Sequence, residues 1–565
     1  MGNRWGAGPV FALEWSQRAR RWQVYAARSA VAALLLVPLL VIGLGRQDGG
    51  TAVYEVLVGG ELAAMLLLAP ATTAGAFCRD RAAGLLDHLL VTDLSAAEVV
   101  LGKLVARLGP LLGLVAAGLP VFFLGALVGG ADPEALAMGL AVVVGTGVLA
   151  ATLTLALSLR GTKTHEVLMA GYAALGAWIG SESIGWAVAW HLDLLAPPEW
   201  LLKANPAWLA LAPVQEPGAA DLGDGLAFLA GCLLASAALT SWTIVRLRAV
   251  CGRRGEGRGG SRSAAARRLG WLPGPDLDAN PIAWREWRRL RGSRWAERIW
   301  MAYLAGAAIL SAIAIEQEVG AGWLMGTNFA QTVNGVQVTA GLLLLSVATA
   351  SAWAEERDPG VLDALLSTPL PASTIVWGKW WGAFRAVPFL ALLPAVLAIG
   401  PSWRAERVIP PPLIFLVVLG HGAVLTSLGV VLSTRIARTG RAIAASVAAF
   451  VLIDLGVFLF AVTRPRGIST LWYQFGLWIS SVFAVADLTG AIEWAYGRYD
   501  PLWYRWLRFG LLWAAIDVAL TLLIVRHTIA TFDRSFGRIP PGPGVPRPSK
   551  AAPNLPPGRI AVELE

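Results

Sequence analysis

Three stretches of this sequence run the width of a bilayer without a charged side chain: residues 108–131, 135–159 and 225–245. At about 1.5 Å of rise per residue, about 20 apolar residues in a helix cross a hydrocarbon core of about 30 Å. Of the 565 residues 15% are charged and 56% are hydrophobic, whereas a soluble domain carries about 25% charge. That much apolar sequence has no water-soluble core to enter. The chain is therefore expected to be an all-α polytopic membrane protein.

Twelve spans are expected near 28–45, 53–77, 104–128, 135–159, 167–190, 225–245, 299–315, 335–354, 380–400, 411–434, 442–462 and 508–525. With the N-terminus inside, most of the 46 Lys and Arg residues fall on the inner side, the asymmetry that cytoplasmic segments show. Both termini are thus expected to be cytoplasmic. The net charge of +9 reads as orientation rather than as affinity for nucleic acid. The N-terminus carries Trp, Glu and several Arg before its first apolar run, with no small-residue cleavage site directly behind that run, so no cleavable signal peptide is expected. Residues 467–485 are also uncharged, but a span there would put Arg526, Arg534, Arg538, Arg547, Lys550 and Arg559 outside. The charge rule makes 463–505 an outer-face loop with interfacial or re-entrant helices, rich in Trp and Tyr. Cys78, Cys232 and Cys251 form neither a paired framework nor a metal spacing.

The chain also repeats itself. Residues 81–103 read RAAGLLDHLLVTDLSAAEVVLGK and residues 357–379 read RDPGVLDALLSTPLPASTIVWGK, identical at 12 of 23 positions without a gap. Pro9, Val10, Glu14 and Trp15 are answered by Pro281, Ile282, Glu286 and Trp287. Gly145, Gly147, Leu153, Ser158, Arg160 and Thr164 are answered by Gly420, Gly422, Leu428, Ser433, Arg435 and Thr439. The expectation is two parallel six-helix repeats: a first half at 1–250, a basic Gly-rich cytoplasmic linker at 251–279, a second half at 280–537, and a Pro-rich disordered tail at 538–565.

The repeated segment lies between the second and third spans of each half. Leu85, Leu86, Leu89 and Leu90 recur at i, i+1, i+4 and i+5, as do Val361, Leu362, Leu365 and Leu366. This spacing predicts one apolar stripe on a short helix, with Asp87 and His88, or Asp363, opposite. Such a helix lies along a membrane surface or docks on a partner. Thr92-Asp93 and Thr368-Pro369 break it. Ser95 and Glu98 form a capping-box pattern that opens the next helix, where the second copy has prolines. Lys103 and Lys379 fall where that next helix enters the bilayer. The plain expectation for a lysine there is that it snorkels to water, while two copies retaining the same polar positions argue for a shared task.

The run R-x-x-G-x-L-D-x-L-L-x-T-x-L, followed by G-K, resembles the coupling region of ABC-2 type transporter permeases. The resemblance implies that this element is a coupling helix touching an ATPase subunit. Its residues would be Gly84, Leu86, Asp87, Leu89, Leu90, Thr92 and Lys103 in the first copy, and Gly360, Leu362, Asp363, Leu365, Leu366, Thr368 and Lys379 in the second. It further implies amphipathic connecting helices at 9–22 and 281–295, and outer-face re-entrant helices near 197–221 and 463–505. Units of that family are usually single six-span chains that dimerise, so two in one chain imply an internal pseudo-dimer. The implied protein is the permease subunit of an ATP-driven exporter in a bacterial inner membrane. Its partners would be a separate ABC-type ATPase, in two copies and carrying the ATP and Mg, and membrane lipid.

The sequence has no phosphate loop of its own. Gly102-Lys103 and Gly378-Lys379 lack the preceding glycine and the following Ser or Thr. Metalloprotease, Cys/His metal and nucleophile-elbow patterns are missing too, so no catalytic residue, metal or directly bound cofactor is expected. Ionisable residues inside spans are costly there. His421, Asp454 and Asp517 qualify, either as a polar lining of a substrate path or as hydrogen-bonding groups between helices. Glu61, Glu182 and the cluster Glu316-Gln317-Glu318 lie nearer span ends, where solvation is expected. Two other functions stay open. One is a membrane enzyme acting on lipid-linked substrates, using Arg464, Arg466, Asp487, Glu493, Arg498 and Asp500. The other is a proton-coupled secondary transporter using His421, Asp454 or Asp517.

Overall fold

The computed structural model describes residues 8–19, 22–43, 50–82, 84–128, 130–161, 163–191, 194, 196–251, 277, 280–289, 294–320, 323–353, 361–400, 409–437, 439–463, 470–490 and 502–538. Nearly all of the expected linker, the tail beyond Arg538, and Gly360 lie outside them. Regular structure among the described residues is entirely helical. In hydrocarbon each backbone N–H and C=O has to be satisfied within its own segment, which a helix achieves.

The first half of the chain forms α1 (Gly8–Ala19), α2 (Trp22–Gly43), α3 (Gly50–Thr73), α4 (Cys78–Ala82), α5 (Leu85–Val91), α6 (Ala96–Leu127), α7 (Pro133–Arg160), α8 (Thr164–Ile179), α9 (Ser181–His191), α10 (Glu199–Lys203), α11 (Pro206–Gln215) and α12 (Leu222–Cys251). The second half forms α13 (Pro281–Arg289), α14 (Arg294–Gly320), α15 (Trp323–Ala350), α16 (Val361–Leu366), α17 (Ala372–Phe384), α18 (Val387–Leu397), α19 (Pro410–Arg435), α20 (Thr439–Thr463), α21 (Thr470–Leu477), α22 (Ser481–Gly490) and α23 (Leu502–Phe536). Nine helices among the described residues are long and apolar enough to cross a membrane. They lie on α3, α6, α7, α12, α14, α15, α17–α18, α19 and α23. Phe123, Leu234, Val245 and Leu523 stand exposed on them. Apolar side chains on the outer surface of such helices suit lipid rather than water.

Each half has its own core. Leu35, Leu57, Val58, Met65, Leu114, Val142 and Leu209 pack in the first, and Leu345, Leu390, Ile414, Val418, Trp478 and Val485 in the second. A third cluster joins them: Leu67, Val167, Leu168 and Tyr172 meet Ile299, Leu344, Val347, Ile443 and Val447. The pairing there is reciprocal, with α3 against α20 and α15 against α8.

Between α9 and α12, and again between α20 and α23, the chain turns inward. Trp208, Leu209 and Ala210 of α11 join the first core, and the Tyr54 hydroxyl donates to the Ala210 carbonyl at 2.7 Å. Asn205 caps α11 through its side-chain oxygen, and its Nδ2 donates to the Ile179 carbonyl at 2.7 Å. The uncharged stretch at 467–485 is not a single span: α21 and α22 have 8 and 10 residues and are separated by a break at 478–480. At about 1.5 Å per residue neither reaches across a bilayer.

Candidate functional site

The amphipathic helices α1 and α13 lie against the N-terminal parts of α6 and α17. Close approach is built into the second pair. A Cβ on Gly378 would stand 2.7 Å from Ile282 Cβ and 2.9 Å from the Ala283 nitrogen, so only glycine admits α13 here. Asn280 starts α13 by accepting from the backbone N–H groups of Ile282 and Ala283, both at 3.0 Å, and its Nδ2 donates to the Thr374 carbonyl.

This packing carries each of the two repeated lysines to a glutamate on the amphipathic helix. Lys103 Nζ donates to Glu14 Oε1 at 2.7 Å and to the Asp80 carboxylate, and Lys379 Nζ donates to Glu286 Oε1 at 2.7 Å and to the Ala352 carbonyl at 2.9 Å. Each ammonium also faces an aromatic ring at the equivalent position of the repeat, Phe77 at 5.9 Å and Trp353 at 5.1 Å. Such a ring adds a further electrostatic attraction for the cation. Lys103 is 3% exposed and Lys379 1%. The expectation that these lysines snorkel is therefore corrected, because a carboxylate on the amphipathic helix lies nearer than water. In the first clasp, Arg107 adds a second cation at 3.3 Å from Glu14 and also donates to the Thr72 carbonyl.

The short helices α5 and α16 precede α6 and α17, which carry the clasp lysines. Gly84 precedes α5 at φ +72°, a left-handed conformation that favours glycine. Leu86 (1% exposed) packs with Val10, Phe77, Val99 and Leu104. Farther along α5, Leu89 is half-buried, while Leu85 (53%) and Val91 (87%) face outward beside the exposed His88. Two turns of helix seated on one cluster cannot bury adjacent residues equally. On α16, Leu365 is buried with Ile282, Trp353, Ile375 and Phe532, Leu362 and Leu366 pack against that cluster, and Asp363 is exposed. Both helices end alike, with the hydroxyls of Thr92 and Thr368 donating to the Leu89 and Leu365 carbonyls at 2.6 Å. The Ser95–Glu98 capping box forms on α6, and Pro371 precedes α17 without a side-chain cap. The side chains of Asp87 and Leu90 lie outside the described residues.

The second loop has an additional latch. Arg538, at the end of α23, donates to the carbonyls of Thr368 at 2.6 Å and Leu370 at 2.9 Å. Hydrogen bonds from a charged group contribute about 1.5–3 kcal/mol. Arg538→Ala is expected to raise hydrogen exchange across 361–371 at least about tenfold, which corresponds to about 1.4 kcal/mol, and to leave 85–95 unchanged. Equal exchange in both proteins would show that the latch does not hold this loop.

The three polar residues expected inside spans gather around the break between α21 and α22. His421 on α19 stands 3.3 Å from Asp517 of α23 through Nδ1, and its Nε2 lies 3.2 Å from the Trp478 carbonyl. The Ser480 hydroxyl donates to Asp454 of α20, and Trp478 Nε1 donates to Asp487 at 2.8 Å. Of the acidic residues assigned to span ends, Glu316 is exposed and Glu182 half-buried. Glu61 is 0% exposed, well inside α3, which corrects its expected solvation. Helices α2 and α6 close over it.

Glu14, Glu286 and Asp80 are the site residues that the motif alone did not point to. The available signal was the Glu-Trp pair recurring at the same place in each half. No protein-family model and no curated protein sequence matches the chain.

Proposed function

We propose that the chain is the permease subunit of an ATP-driven exporter of the ABC-2 type, its two six-span halves forming an internal pseudo-dimer of twelve spans. The observation that carries this reading is the clasp built twice. At both copies of the repeated segment a buried lysine paired with a glutamate ties an amphipathic helix to the helix that follows the short one. Force applied to α5 or α16 then reaches the long helices through a stiff joint instead of being lost in a loop. Two ATPase subunits, carrying ATP and Mg, close against α5 and α16 and tilt the halves about the seam of α3, α8, α15 and α20. ATP shifts that equilibrium only by its differential affinity for the two arrangements. The Lys and Arg distribution supports cytoplasmic termini, and the membrane in this reading is a bacterial inner one. On the second side, His421, Asp454 and Asp517 join α19, α20 and α23 at the break between α21 and α22, where they would adjoin a substrate path. The two ATPase contacts are unlike, since α5 presents Leu85, His88 and Val91 while α16 presents Asp363, Ala364 and Ser367.

Purification of the tagged chain in mild detergent, with mass spectrometry of what accompanies it, tests the reading. A stoichiometric ATPase with a phosphate loop is expected, and its absence where other membrane complexes survive would overturn the proposal. Leu85 and Val91 are exposed, so replacing both by Asp leaves the core intact. It is expected to lower recovery of the ATPase at least about tenfold, as removal of an apolar interface anchor does. Unchanged recovery would remove α5 from the interface.

A further inference from the structure

The repeat supplies an internal control for the buried polar residues of its second long helix. Glu61 on α3 and Gln337 on α15 are equivalent, each 20 residues before the arginine that opens the repeated segment (Arg81 or Arg357). Both are buried. Gln337 is provided for: its Nε2 donates to Ser311 Oγ at 2.7 Å and to the Ala307 carbonyl at 3.1 Å, both on α14. Ala307 and Ser311 stand 21 and 25 residues after Glu286, and the same distances after Glu14 fall on Leu35 and Leu39 of α2. Both leucines are buried. Where the amide becomes an acid, the facing hydroxyl thus becomes an alkyl group. No group among the described residues donates to either Glu61 carboxyl oxygen. The remaining side is closed by Gly118 of α6, where a Cβ would stand 3.1 Å from Glu61 Oε2 and 3.4 Å from Leu35 Cδ1.

Charged groups on the elements packed against α3 are directed elsewhere. On α2, Arg28 lies against Gly113 of α6, one turn and more from Gly118. On α6, Lys103 and Arg107 are held by Glu14, Asp80 and the Thr72 carbonyl. Between Glu134 and Arg160, α7 has no charged residue, and neither has α11. His165 and Glu166 sit in the first turn of α8; on α20, Arg441 is in the first turn and Asp454 takes the Ser480 hydroxyl. On α3 itself Glu55 lies nearly two turns away, and Arg79, Asp80 and Arg81 belong to α4. A carboxylate ion without a partner is the least stable state of such a group in hydrocarbon, whereas the neutral acid is compatible with it.

We propose that Glu61 is an intramembrane proton-binding site, which holds a proton while α2, α3 and α6 are packed together and releases it when that face opens to water. The second half carries an amide at the same position, so protonation acts on one half of the molecule. This inference does not depend on an ATPase partner.

The test uses the full chain in lipid nanodiscs. The infrared difference between the wild type and Glu61→Gln at neutral pH is expected to contain the carbonyl band of a protonated carboxyl. Loss of carboxylate bands instead would overturn the proposal. Leu39→Ser sets a hydroxyl opposite Glu61, as Ser311 faces Gln337, and is expected to lower the frequency of that band. An unmoved band would overturn the geometry, and this variant also serves if Glu61→Gln does not fold. Hydrogen exchange of 30–39, 57–65 and 114–122, compared at equal pH, is expected to match between wild type and Glu61→Gln in mild acid. In alkali it is expected to be several-fold faster in the wild type, and equality there would overturn the link between proton release and opening.

Discussion

Replacing Lys379 with Met is expected to cost about 3–5 kcal/mol of stability, the loss associated with removing one partner of a buried ion pair. Its ammonium stands 2.7 Å from Oε1 of the buried Glu286, which loses that cation. The Ala352 carbonyl loses its donor at the same time. The double variant Lys379→Met, Glu286→Leu removes both charges, and it is expected to recover most of the loss because the desolvation of each ion disappears with its attraction. In the corresponding Lys103→Met, Arg107 still stands 3.3 Å from Glu14 and is expected to offset part of the loss. Denaturant unfolding of the four proteins in one detergent checks the order. If Lys379→Met is as stable as the wild type, the lysine is not paired in the membrane and the stiff joint loses its basis.

Trp353→Ala is expected to be about as damaging, at about 3–5 kcal/mol for the loss of a fully buried aromatic. Trp353 lies with its ring centroid 5.6 Å from Phe532 and 5.2 Å from Phe536, and the Lys379 ammonium stands 5.1 Å from it. One side chain thus joins the clasp, the end of α23 and the second short helix. Its removal should also free the Arg538 latch, so faster proteolysis within 361–371 is expected along with a lower unfolding midpoint. Trp353→Phe keeps a ring and should lose less. A variant that is destabilised but retains protection of 361–371 would separate the core from the latch and show that the two are not joined.

Much of this architecture was legible in the residues. Charge-free stretches set the long helices, because backbone satisfaction in lipid depends on the segment itself. Ser95 and Glu98 announced the start of α6, since a capping box is made within one turn. Thr92 and Thr368 marked the ends of α5 and α16 for the same local reason. The repeat itself told that whatever is built around Lys103 is built again around Lys379.

The partners of those lysines were not legible. Glu14 and Lys103 are 89 residues apart, and Glu286 and Lys379 are 93. Sequence spacing gave each lysine only its nearest alternatives, lipid headgroups and water. Glu61 is the converse case, placed near a solvated end by its position in an apolar run and found closed in by Leu35 and Gly118. What the sequence by itself determined is helix, register and duplication, which arise from interactions within a few residues. What the tertiary structure decided is which charges meet and which acid has no partner among the described residues, because these depend on the distances between helices far apart in the chain.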